Sequence, residues 1–178
     1  MTYGTLYSQY YDLRSSHFSK NIAPLIREFY EQTLIGKHER SIIDLACGNG
    51  HLAHHFLDNQ YRVLGIDQSE EMLELAKQRT SKYINEKSAT FLYGDAEGFN
   101  IEQEEVGLVV STYNAINHLK NLEGCFISCY KALKDKGYFI FDMNTRKGYL
   151  SLWNSQQIED NEERLIFSRA VYDPMGSG

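Results

Sequence analysis

The sequence predicts an α/β fold, a three-layer sandwich with a mostly parallel sheet between helices. Three observations lead there. Short runs that are apolar on both faces recur from residue 41 onward, segments with helical spacing separate them, and acids close three of the runs. Strands apolar on both faces belong to parallel sheets covered on both sides, with right-handed crossovers.

Taken in order, residues 19–35 predict an amphipathic helix, and SIIDLA (41–46) a short buried strand. HLAHHFLDN (51–59) reads as a helix and YRVLGID (61–67) as the second strand. Ser69 is a good N-cap, followed by acids in the first turn and by Met72, Leu73, Leu75 and Ala76 at helical spacing. ATFLYGD (89–95), VGLVVST (106–112) and GYFIFDMN (137–144) are the third, fourth and fifth strands. Residues 121–134 predict a helix with Leu122, Phe126, Ile127, Tyr130 and Leu133 on its apolar face. The remainder, 145–178, is mixed, with one candidate strand at 164–172 and a turn, DPMGSG. Three regions result: an N-terminal helical lid or cap (1–40), a ligand-binding core (41–144) and a partial C-terminal, substrate-side segment (145–178). Ending on Gly-Ser-Gly straight after a strand reads equally as a truncation or a natural terminus.

Bulk properties narrow the function. A chain of 178 residues, 42% hydrophobic and 13% aromatic, supports one real core. Net charge is -6, from 18 basic and 24 acidic residues, and no basic run exceeds two. Phosphate backbones want a clustered positive face, so a small molecule is expected rather than nucleic acid. Three cysteines, an odd number, suggest a reducing compartment. The polar, tyrosine-rich N-terminus is no signal peptide, and no run approaches the ~20 apolar residues of a membrane helix. A cytoplasmic protein without membrane contact is expected.

The stretch GNGHLA (48–53) matches the loose dinucleotide pattern G-x-G-x-x-A. Its glycines permit a tight turn, and the helix behind it offers free N–H groups to an anion. Yet Asp44, at the strand end before the turn, would repel a pyrophosphate and attract an ammonium or sulfonium. Asp67 ends the next strand, 19 residues after Gly48, where an acid can take two ribose hydroxyls. Gly94-Asp95-Ala96 closes the third, where a carboxylate can accept from the adenine amino group. An amino-acid end, a ribose and an adenine without phosphate describe S-adenosylmethionine.

D-L-A-C-G-N-G, G-I-D-Q-S, G-D-A and S-T-Y-N-A-I-N-H, in this order, resemble the motifs of class I S-adenosylmethionine-dependent methyltransferases. Y-K-A-L-K-D-K-G-Y-F-I-F-D-M-N-T is similar to that family's segment before its fifth strand. The likeness covers roughly residues 3 to 148 and implies a Rossmann-like core of class I methyltransferase topology. It also implies that Asp44, Ala46, Cys47, Gly48 and Gly50 surround the methionine end, and that Asp67 holds the ribose. Gln68 and Met72 would flank the adenine, while Gly94, Asp95 and Ala96 would meet its edge. Ser111 and Tyr113 would lie near the sulfonium. Tyr3, Tyr7, Tyr10 and Tyr11 resemble the tyrosine segment that lids the cofactor in small-molecule members. The family sheet has seven strands ending in an antiparallel hairpin, whereas five are evident here with one candidate. An incomplete hairpin would leave the fifth strand an open edge, for which a homo-oligomer is one expected cover.

Methyl transfer asks for alignment and exclusion of water more than for acid–base machinery. His118, after the fourth strand, is the candidate base, or else an ordinary loop histidine. Asn114, Asn117, Asp142 and Asn144 could orient a polar substrate; Asn144 and Thr145 read equally as a helix cap, the favoured role for Thr145. No metal site is expected: His51, His54 and His55 read as a solvated helix face, and Cys125 and Cys129 as small buried hydrophobes. Cys47 reads as packing under the cofactor. The tyrosines are a lid or aromatic packing, Met72 an adenine neighbour or core, and Asp67 a ribose ligand or helix cap. The expected function is S-adenosylmethionine-dependent methylation of a small molecule. The alternatives are a truncated, inactive remnant acting through a partner chain, and a nicotinamide-dependent oxidoreductase.

Overall fold

The structure, a computed structural model, describes the backbone of residues 5–101, 105–152, 156–161 and 164–169, with side chains for residues 12, 14–101 and 105–151. It divides into two compact units, Met1–Asp142 and Met143–Gly178. In the first unit α1 (Thr5–Gln32) precedes β1 (Ser41–Leu45), α2 (His51–Asp58), β2 (Arg62–Asp67), α3 (Glu70–Arg79), α4 (Ser81–Asn85) and β3 (Ala89–Tyr93). Then follow β4 (Val106–Ser111), a 3₁₀ turn at Ala115–His118, α5 (Leu122–Ala132) and β5 (Leu133–Phe141).

The five strands lie in the order β3-β2-β1-β4-β5, every neighbouring pair parallel. The expected Rossmann-like α/β architecture is therefore what forms. Chain order reverses between β1 and β4, which opens a crevice beyond their carboxyl ends, where open α/β sheets bind ligands. Within residues 1–142, β5 pairs with β4 alone.

Side chains alternate between the two sheet faces with the period of two that a strand imposes. Ile42, Leu108 and Val110 face one core with Ala23, Tyr30 and Phe56, whereas Ile43, Leu45 and Val109 face another with Cys125, Cys129 and Ala132. Helices therefore cover both faces. At the rate of about 25 cal/mol per Å² of apolar area, these two layers are the main source of stability.

Several boundaries differ from expectation. The first helix begins at Thr5 rather than at residue 19 and continues through Pro24. The third strand ends at Tyr93, so Gly94 and Asp95 lie in the turn beyond it. The fifth starts at Leu133, with Lys136 at a φ of 62°, because it joins α5 without an intervening loop. That junction explains a larger correction. Leu122, Phe126, Ile127 and Tyr130 are exposed, and the buried face of α5 is Cys125, Ser128, Cys129 and Ala132. Both stripes have helical spacing, and only the small one lets a helix tied directly to the sheet approach it closely.

In the second unit, Thr145 accepts from the Gly148 N–H at 3.2 Å and so caps α6 (Arg146–Leu152), the role expected of it. β6 (Gln156–Asn161) and β7 (Arg164–Arg169) pair antiparallel in a two-stranded sheet of their own. The sequence predicts β7 but not β6, whose QQIEDN lacks apolar alternation. Residues 170–172 and the DPMGSG turn lie outside the described residues.

Candidate functional site

β1 ends in the turn Ala46-Cys47-Gly48-Asn49-Gly50, which leads into α2. Ala46, Gly48 and Gly50 all have positive φ, at 56°, 52° and 76°. Gly50 is needed twice over: its left-handed backbone disfavours any side chain, and an added Cβ would lie 2.8 Å from the Ala76 Cβ on α3. As N-cap of α2 it has no side chain to offer, and Asp44 fills that role from β1. The Asp44 Oδ2 accepts from the Ala53 N–H at 3.1 Å. Asp44 is only 2% exposed, and burial, reinforced by the Asp67 charge, pushes its carboxyl up to about 8.

Asp67, at the tip of β2, joins two loops. Its Oδ2 accepts from the Gly48 N–H at 2.7 Å and its Oδ1 from the Ser69 N–H at 2.9 Å. Desolvation raises its pKa, opposed by those bonds. The cap of α3 is Ser69, whose hydroxyl accepts from the Met72 N–H at 3.3 Å. The Gly94 N–H donates to the Asp67 carbonyl at 3.0 Å, drawing the tip of β3 against β2. Asp95 is exposed there, and its Oδ1 accepts from the Glu97 N–H at 2.9 Å. Gln68 is exposed, Ala96 half-buried and Met72 buried in the wall. Three adjacent strands thus present acids at one end, one buried, one half-buried and one exposed.

Cys47 is buried, and its thiol is pushed well up by burial first and then by Asp44 and Asp67. It packs, as expected, and has no nucleophilic character. Cys125 and Cys129 are likewise buried. His51 departs from the solvated-face expectation. Its Nε2 lies 3.0 Å from the Asp12 Oδ1, which also accepts from the Asn49 Nδ2 at 2.7 Å and the Arg79 Nη2 at 2.6 Å. Arg79 Nε donates to the Asn49 carbonyl at 2.9 Å. This cluster pins α1 onto the glycine turn and α3. No local signal could reveal it, because Asp12 is separated by 37, 39 and 67 residues from its partners. His54 pairs with Asp58 on the same helix.

Beyond β4 the chain takes two successive left-handed residues, Tyr113 (φ 64°) and Asn114 (φ 60°). Conformations of this kind cost about 1–3 kcal/mol and collect at functional sites. Asp142, at the tip of β5, accepts from the Asn114 N–H through Oδ2 at 3.0 Å and holds that bend. Ser111 is buried, and neither its Oγ nor the Asp142 Oδ1 has a hydrogen-bond partner among the described residues. The Tyr113 ring stands edge-on to Phe18 of α1 at 5.2 Å. Since Asp44 pairs with Val110, the Tyr113 bend and the glycine turn follow the same ends of adjacent strands β4 and β1. His118 ends the 3₁₀ turn and is exposed. Tyr3 and the side chains of Tyr7, Tyr10 and Tyr11 lie outside the described residues, so the lid expectation does too.

No helix among the described residues is long and apolar enough to cross a membrane. Comparison with known proteins agrees with the fold. YqeM of Bacillus subtilis, itself named only provisionally as a methyltransferase, is 28% identical over 129 residues, 71% of this chain and 51% of YqeM. The chain thus spans about half the length of that relative. An S-adenosylmethionine-dependent methyltransferase from Clostridium acetobutylicum shares the fold with a TM-score of 0.68 at 22% identity, over 85% of this chain and 65% of that one. The glycopeptide N-methyltransferase MtfA, solved with S-adenosylmethionine, does so with a TM-score of 0.59 at 21% identity, over 83% and 58%. The sequence pattern of a methyltransferase domain matches residues 42–137, more than half of the chain, and the chain belongs to that family.

Proposed function

We propose that this chain binds S-adenosylmethionine in the β1–β4 crevice and transfers its methyl group to a small molecule. One observation carries the choice of ligand. The Gly48 N–H, the donor that a pyrophosphate would take in a G-x-G-x-x-A turn, is already held by the Asp67 carboxylate at 2.7 Å. A diphosphate would meet the Asp67 carboxylate and lose that donor, whereas a nucleoside without phosphate leaves the bond intact and offers hydroxyls to the acid.

Bound there, S-adenosylmethionine supplies a methyl carbon on a cationic sulfur, open to in-line attack by an acceptor lone pair as the carbon–sulfur electron pair returns to sulfur. The residues supply position. In this reading Asp67 takes the ribose hydroxyls, and Asp95 the adenine amino group with the Ala96 N–H beside it. Gly48 and Gly50 let the ligand approach the backbone, over the packing of Cys47 and Met72. The buried Ser111 hydroxyl, lacking a partner in the described structure, fits a polar group near the reacting centre. Alignment and exclusion of water then supply most of the rate. His118, exposed at the end of the 3₁₀ turn after β4, is the group that takes a proton from a hydroxyl acceptor in this reading.

The test compares ligands by thermal shift. S-adenosylhomocysteine at about 100 times its dissociation constant should stabilise the fold by ~2.7 kcal/mol, NADH should not, and Asp67→Ala should abolish the difference. Stabilisation by NADH alone refutes the proposal, and unchanged S-adenosylhomocysteine affinity in Asp67→Ala refutes the ribose role.

A further inference from the structure

A cleft of about 430 Å³ lies between α1 and the Tyr113 bend, within the size range of small-molecule sites. Of the residues expected to meet the cofactor, Tyr113 alone lines it. Its apolar wall includes Phe18, Ile22 and the Tyr113 ring, and its polar edge carries Arg14, His17 and Asn21. The edge-on contact of Phe18 with Tyr113 steadies an aromatic wall beside the bend that delivers β4 to the crevice. Asn21 Nδ2 donates to the His17 carbonyl at 2.9 Å and stands 3.4 Å from His17 Nδ1. With Nδ1 facing that amide, Nε2 is the ring nitrogen left to donate to a ligand.

Arg14 and His17 are the basic groups in the lining, which holds no acid, in a protein of net charge -6. A guanidinium fork matches a planar carboxylate, and an aromatic wall favours a ring edge or face. One guanidinium and one imidazole suit a single negative charge better than a phosphate dianion.

We propose that this cleft is the acceptor site and takes a small aromatic carboxylic acid bearing the nucleophile, an assignment that rests on the methyl-transfer reading above. Arg14 and His17 hold the carboxylate, Phe18 and Tyr113 the ring, and the nucleophile points past Tyr113 toward the crevice. The strained Tyr113–Asn114 backbone is what sets this wall, since an ordinary right-handed turn would swing the ring elsewhere.

The experiment uses the full chain and calorimetric titration. S-adenosylhomocysteine is titrated first; then, with it saturating, 4-hydroxybenzoate and its methyl ester are compared. The acid should bind at least tenfold more tightly than the ester. Arg14→Gln, a change at an exposed position, should remove that preference while S-adenosylhomocysteine affinity stays within twofold. Phe18→Leu should weaken both probes together. If S-adenosylhomocysteine binds but acid and ester bind equally, or neither binds at millimolar concentration, the acceptor assignment is overturned and the methyl-transfer reading survives. Failure of S-adenosylhomocysteine to bind overturns both.

Discussion

Replacing Gly50 by alanine should cost about 2–5 kcal/mol of stability. Two effects add. The residue sits at a φ of 76°, where a non-glycine residue pays about 1–2 kcal/mol. The new methyl would also lie 2.8 Å from the Ala76 Cβ and 3.1 Å from its Cα, an overpacking of the kind that costs about 1–3 kcal/mol. Neither neighbour can turn away, because Ala76 is fully buried in α3 and its Cβ has no rotamer. Urea unfolding followed by far-UV circular dichroism measures the loss. With an m value of about 2 kcal/mol per M, the midpoint should fall by about 1–2.5 M. A double-mutant cycle separates the parts, since Ala76→Gly removes the obstructing methyl and leaves the backbone strain. The pair should show a favourable coupling of about 1–3 kcal/mol, the steric share. A loss below about 0.5 kcal/mol in Gly50→Ala, or zero coupling, would refute the reasoning, because α2 and α3 would not then meet at this turn as described.

Further outcomes follow from other groups. With the Asp44 carboxyl raised to about 8, the folded state binds the extra proton, so stability is fully present below the ordinary carboxylate range and is lost as pH rises towards 8. Asp44→Asn, which keeps an acceptor for the Ala53 N–H, should flatten that decline in urea midpoints between pH 5 and 8 relative to the parent. Asp12→Asn weakens contacts to Arg79 and His51 on a partly exposed side chain, so the expected loss is at most about 1 kcal/mol. Hydrogen exchange should nonetheless quicken in α1 near residues 12–18 while the β1 and β4 amides stay protected. Ser69→Ala removes the cap of α3 and should cost about 1 kcal/mol by urea melt, with Ser69→Gly costing less.

Local chemistry wrote much of this protein plainly into the sequence. Apolar runs belong to inner parallel strands, so β1 and β4, buried throughout, and β2, buried at Val63, Gly65 and Ile66, were legible within a residue or two of their ends. The Ser69 and Thr145 caps, the buried cysteines and the acids at three successive strand ends were legible for the same reason, since each depends on near neighbours along the chain. What periodicity left open was the face of α5, where two stripes were equally helical and only the direct junction with β5 selected the smaller. Tertiary structure alone decided that Asp44 turns inward to cap α2, that Asp67 occupies the Gly48 amide, and that Asp12 ties α1 to the glycine turn. It alone also placed Arg14 and His17 beside Tyr113. The hydrogen bonds among these join residues from 9 to 67 positions apart, and the cleft residues lie farther apart still. A sequence lists such groups, but their meeting depends on the whole chain having packed.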